Sequence, residues 1–124
     1  MKHVYVMTIN GVGCKVGIAR NPQRRLEALQ TAHPLKLSLY WTSLECEPFV
    51  AAVVEQMVHE HFSPYRLQGE WFGVEPESAA QAVRDALQSI ADHDADACEV
   101  LYFRLTERVK RVLKQTPMAG GGAA

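Results

Sequence analysis

Two β-rich runs a few residues apart constrain this chain more than any other feature. Val4 to Ile9 is almost wholly apolar or β-branched, which favours an extended strand. Asn10-Gly11-Val12-Gly13 follows, and Asn and Gly tolerate the positive φ of a turn. Cys14 to Ile18 reads as the returning strand. Asn21-Pro22 then opens a helix, because Asn caps a free helix N–H and Pro fits the first helical position, where an N–H has no partner. One hairpin and one helix thus gather the Tyr5 phenol, the Lys15 ammonium and the Arg24 and Arg25 guanidiniums.

The chemistry of that group depends on pairing register, since side chains alternate across a strand. A two-residue turn at Asn10-Gly11 pairs Tyr5 with Val16 and sends Lys15 to the other face. A three-residue loop, Ile9-Asn10-Gly11 with Gly11 left-handed, pairs Tyr5 with Lys15 directly. The second register is the one predicted.

The helix should run to about Thr31 with Leu26 and Leu29 inward, and His33-Pro34 ends it. Leu35 to Thr42 alternates, with Leu35, Leu37, Leu39 and Trp41 on one side and Lys36, Ser38 and Tyr40 on the other, as a half-buried strand does. It is expected to complete a three-stranded sheet. A second helix starts at Pro48 and reaches about Phe62, with Phe49, Val50, Val53, Val54, Met57 and Val58 as its apolar stripe and Glu55 and His59 four apart on one edge. Ser63-Pro64 stops it, and a loop carries Gly69-Glu70-Trp71-Phe72. A third helix fits Pro76 to about Asp92, with Ala79, Ala82, Val83, Ala86, Leu87 and Ile90 inward. Between Asp92 and Gln115, Leu101, Leu105, Val109 and Val112 recur at helical spacing beside Arg104, Arg108 and Arg111, although Val100 to Phe103 also suits a strand. That segment can pack on the domain, offer a basic face to DNA, or form a homodimer. The expected division is a core over 1–74, a helical extension packed on it over 75–116, and a disordered tail over 117–124.

The composition is that of an ordinary globular domain, 48% apolar over 124 residues. No apolar run approaches the roughly 20 residues that span a bilayer, and no signal peptide is evident. Cys14, Cys46 and Cys98 are odd in number and widely spaced, which suits a reducing cytoplasm better than disulfides or a zinc site. Net charge is −1 but unevenly spread. Residues 1–44 hold six Lys/Arg against Glu27 alone, 45–103 hold two Arg against twelve acids, and 104–124 hold five Lys/Arg against Glu107. The basic first third, which contains the Tyr/Lys/Arg group, is where a polyanion would bind.

Val4-Tyr5-Val6 and Lys15-Val16-Gly17 resemble the two signature tripeptides of the GIY-YIG nuclease superfamily. Arg25-Leu26 and Glu55 continue the resemblance. Glu55-xxx-His59 followed by Gly69-Glu70-Trp71-Phe72 is most similar to a phage-associated branch (the meiotically up-regulated gene type), which reads Lys-Ile-Gly in the second motif. The likeness covers about residues 3–74. It implies an α+β fold, a small antiparallel sheet of three strands flanked by helices, and metal-dependent hydrolysis of DNA. By this resemblance Tyr5 acts as general base or proton relay to water, Arg25 binds the scissile phosphate, and Glu55 holds one divalent cation, Mg²⁺ or Mn²⁺.

Elementary chemistry is compatible with those roles. Tyrosine is a poor base at its ordinary pKa of about 10, and a Lys15 ammonium beside it would favour phenolate. Arg25, with Arg24 next to it, offers a guanidinium fork to phosphate oxygens. One carboxylate plus water and substrate oxygens suits Mg²⁺. His59 can orient a water or protonate the leaving oxygen, and Glu70 can brace Arg25 or His59. Trp71 and Phe72 read as a hydrophobic plug. His3, His33 and His93 show no ligand spacing. Plainer readings stand beside these: a core tyrosine, an edge-strand lysine, surface arginines in ion pairs, and a polar helix edge. The leading function is therefore a cytoplasmic, metal-dependent DNA endonuclease. The alternative is a non-catalytic nucleic-acid-binding module of the same fold.

Overall fold

The computed structural model describes residues 1–9 and 12–92. The expected Asn10-Gly11 turn, the segment from 93 to 115, Cys98 and the tail lie outside the described residues. The order is β1 (His3–Ile9), β2 (Gly13–Ala19), α1 (Pro22–Thr31), β3 (Leu37–Thr42), α2 (Pro48–His61), a short 3₁₀ turn (Ser63–Tyr65), β4 (Trp71–Phe72) and α3 (Pro76–Asp92). The fold is α+β. Its antiparallel sheet runs β3-β1-β2-β4, so the three expected strands gain a two-residue fourth at the free edge of β2.

The hairpin register differs from the predicted one. Tyr5 lies opposite Gly17 and Lys15 opposite Met7. Three residues do connect the strands, but they are 10–12, because Ile9 still pairs with Gly13. Packing gives the reason. A Cβ on Gly17 would fall 2.4 Å from the Tyr5 hydroxyl, so the wholly buried phenol ring occupies the space a larger residue would need. The two-residue offset preserves parity, and Tyr5 and Lys15 still share a face.

That face is the one α1 covers. Asn21 Oδ1 accepts from Arg24 N at 3.1 Å and Pro22 follows, which starts α1 as its sequence predicts. Gln30 fixes the far end of α1, its Oε1 accepting from Leu37 N at 2.7 Å. The opposite face carries Val4, Val6, Cys14, Val16, Ile18 and Phe72. It packs against Ala51, Val54 and Val58 of α2 and Ala79, Ala80, Val83 and Ala86 of α3. Small residues on α3 let it approach the sheet closely.

β3 departs from simple alternation. Val6 pairs with Trp41 but Met7 with Leu39, so Tyr40 is an extra residue in a bulge. The bulge moves Trp41 off the side of Leu37 and Leu39 and onto the α2/α3 core, under the Arg84 guanidinium. Strand β3 also begins at Leu37, leaving Leu35 half exposed. Phe49, expected in the α2 stripe, is 44% exposed.

Candidate functional site

Three elements bring their side chains within electrostatic reach of one another around Tyr5. Tyr5 comes from β1 and is wholly buried. Arg25 comes from the first turn of α1, over the same face. Glu55 comes from the middle of α2, one residue past the buried Val54, and acts electrostatically on Tyr5. The buried side-chain polar atoms without a hydrogen-bond partner among the described residues are Tyr5 Oη, Arg25 Nε and Glu55 Oε2. Buried polar atoms are normally satisfied, and an orphan costs about 1–3 kcal/mol. These three orphans belong to three of the residues singled out in the sequence.

Their electrostatics follow from burial. Desolvation pushes the Tyr5 phenol up to about 12; the Arg25 guanidinium beside it favours the anion, and the Glu55 and Glu70 carboxylates oppose it. Arg25 lies close enough for that influence, yet the Tyr5 hydroxyl makes no hydrogen bond of ordinary distance and angle. Glu55 is pushed up to about 7, first by burial and then by Glu70, against the pull of Lys15 and Lys2.

Lys15 has another partner than the one expected. It is 7% exposed, and its Nζ donates to Glu70 Oε2 in an ion pair. Pairing of Trp71 with Lys15 puts the neighbouring Glu70 within its reach. Glu70 therefore braces Lys15, not Arg25 or His59. Its carboxylate compensates the ammonium charge, and the phenol is raised, not lowered.

His59 is placed by a different need. β4 stops at Lys15, and the next β2 residue, Val16, presents its carbonyl to His59 Nε2 at 2.7 Å. A carbonyl only accepts, so Nε2 carries the proton. Burial lowers the His59 pKa and keeps the ring neutral, packed 5.2 Å from the Phe72 ring. Its Nε2 proton is thus committed to the sheet edge and is not aimed at a leaving oxygen.

The expected plug divides between two faces. Phe72 is in the core at 0% exposure, while Trp71 sits beside Lys15 on the α1 face, 6.0 Å from the His33 ring. Arg24 is exposed and forms no ion pair among the described residues. Two further residues serve this group: Gly17 seats Tyr5, and Lys2 lies within electrostatic reach of Glu55. Gly17 belongs to the Lys15-Val16-Gly17 tripeptide, and the sequence signal for Lys2 is no more than the basic bias of the first third.

No cluster of three or more His, Cys, Asp or Glu able to hold a metal occurs among the described residues. The buried carboxylate oxygen without a partner among the described residues is Glu55 Oε2, while Lys15 engages Oε2 of Glu70. Such a donor fits a hard cation that keeps most of its own water, as Mg²⁺ does, and not zinc. No helix among the described residues is long and apolar enough to cross a membrane.

No curated protein and no solved structure matches the chain. One protein family does, the T5orf172 domain, over residues 2–87. This span runs from the first residues of the sheet through most of α3 and includes every residue of the site. The chain belongs to the T5orf172 domain family.

Proposed function

We propose that this protein is a metal-dependent endonuclease that hydrolyses DNA phosphodiester bonds by a GIY-YIG-type mechanism. The observation that carries this reading is three buried polar atoms without partners, a phenol, a guanidinium nitrogen and a carboxylate oxygen, on residues within electrostatic reach of Tyr5. A bound phosphodiester and its cation would supply the partners they lack. The loose link of the T5orf172 domain family to endonucleases supports the same reading.

Each residue then has a task its surroundings suit. Arg25 binds and neutralises the non-bridging oxygens of the phosphate. Glu55 would hold one Mg²⁺ or Mn²⁺. When bound, the ion would polarise the phosphate and stabilise the leaving oxygen. Tyr5 is protonated at rest. With the Glu55 charge neutralised, that carboxylate no longer raises the phenol, and the Arg25 guanidinium favours loss of the phenolic proton to solvent; the phenolate then takes the proton of the attacking water as the water oxygen bonds to phosphorus and the leaving oxygen departs. Lys15, held by Glu70, keeps a cation beside the site without spending it on Tyr5. His59 and Phe72 hold the β2 edge still.

Nicking of supercoiled plasmid in Mg²⁺ or Mn²⁺ against EDTA tests this. Tyr5→Phe, Arg25→Ala and Glu55→Ala should each reduce cutting by about a hundredfold or more. Metal-independent cutting, or cutting that survives in all three variants, would refute the site. DNA retention without cutting by the parent would favour the binding-module alternative.

A further inference from the structure

Among the described residues, four of the six Lys and Arg that form no ion pair, Lys2, Arg20, Arg24 and Arg25, lie at the end of the sheet away from the hairpin loop, and Lys36 and Arg66 lie elsewhere. Ion pairs among the described residues are Lys15–Glu70 and Arg84–Glu77, and His3 Nε2 lies 3.9 Å from Glu45 Oε1. Lys2, Arg20, Arg24 and Arg25 take part in none of them. The topology puts these four together. His3 pairs with Ala19, so the next position on each strand is Lys2 on one side and Arg20 on the other. Asn21 then caps α1, and Arg24 and Arg25 sit in its first turn.

Lys2 is held there by its backbone. Its N–H donates to Cys46 O at 2.9 Å, and Cys46 N–H donates to Lys2 O at 2.8 Å. Its side chain is left half-buried, with an ammonium whose charge acts on Glu55. The neighbouring Glu45 is directed to His3, at 3.9 Å. Strand alternation puts Lys2 and Arg20 on the α2/α3 side of this sheet end, with Arg24 and Arg25 in α1 over the other side, so four cations flank the end from both faces, spaced along the chain as a run of phosphates would need and not a single one.

We propose that Lys2 and Arg20 hold phosphates flanking the one addressed by Arg25, so that the site takes a polynucleotide strand and not a small isolated phosphodiester. This rests on the nuclease reading and extends it to two residues outside the cleavage chemistry. Lys36 provides the control, because it lines a separate cavity at the hairpin-loop end with Thr8, Ser38 and Glu75.

The test is binding of the full chain to a fluorescein-labelled DNA duplex and to its single strand, in EDTA, across a series of KCl concentrations. Each phosphate contact contributes about 0.9 to the slope of log affinity against log salt on duplex and about 0.7 on single strand. Lys2→Ala and Arg20→Ala should each make the slope shallower by about that amount. Lys36→Ala should leave it unchanged, and all three should melt with the parent, since the bridge to Cys46 uses backbone groups only. A parent that binds with a salt slope which Lys2→Ala and Arg20→Ala fully retain would overturn the inference and leave the nuclease reading intact. A parent that binds neither probe would overturn both.

Discussion

Glu55 is the residue whose environment is most at odds with its charge. Its carboxyl titrates near 7 in the folded protein, against an ordinary value of 4.5. A raised carboxyl favours folding while protonated in the native state only. That contribution is full below about pH 4.5, and it drains away as pH rises to about 7. Above that the native state carries a poorly solvated anion. In EDTA, Glu55→Gln should therefore match the parent near pH 4.5 and be more stable at pH 8, by about 2–3 kcal/mol. Chemical denaturation at the two pH values measures this, and equal gains at both would show that charge burial is not the cause. His59 acts with the opposite sign. Its lowered pKa leaves the native ring neutral, so its contribution is present above about 6.5 and is lost as pH falls through the folded value. Gly17 bears on geometry. Gly17→Ala drives a methyl into the Tyr5 ring, and should cost about 1–3 kcal/mol by overpacking. Cutting should fall by about a hundredfold as the phenol is displaced, which melting and nicking of one preparation would show.

At the scale of elements, β4 is the piece with least of its own to hold it. It has two residues, and it stays on the sheet through Phe72 in the core and the Lys15–Glu70 pair on the other face. Lys15→Met should leave a poorly solvated carboxylate and destabilise the fold by about 3 kcal/mol. Adding Glu70→Leu should recover most of that loss, because the cost lies in the unpaired charge. A double variant no more stable than Lys15→Met would contradict the ion-pair account. The same element shows where sequence reading stops. The bounds of α1 and α3 were legible to the residue, because Asn21-Pro22 and Pro76 mark starts and the apolar spacing marks lengths. β4 has no signal in the sequence, since two residues carry no periodicity. The Tyr40 bulge was equally hidden. Alternation from Leu35 to Trp41 is unbroken in the sequence, and only pairing with β1 shows the slip that turns Trp41 to the other face. Tyr5, Arg25 and Glu55 were legible through motif order. The Lys15–Glu70 and His59–Val16 partnerships were not, because each joins residues far apart in the chain whose proximity depends on β4.

Over the whole molecule, the sheet separates two jobs. One face, with α2 and α3, carries the main apolar core. The other face and its β2 edge carry the buried polar groups, under α1. Two α2 residues link the layers: His59 donates to Val16 O where β4 ends, and Glu55 acts electrostatically on Tyr5. The structure thus keeps a poorly solvated carboxylate, a cost that the proposed function would account for. The measurement that bears most directly on this is made on Glu55→Gln alone, with plasmid nicking in Mg²⁺ and melting in EDTA at pH 8 from one preparation. The account predicts a variant that melts above the parent and nicks about a hundredfold more slowly or not at all. A variant that melts at or below the parent and nicks at the parent rate would contradict it.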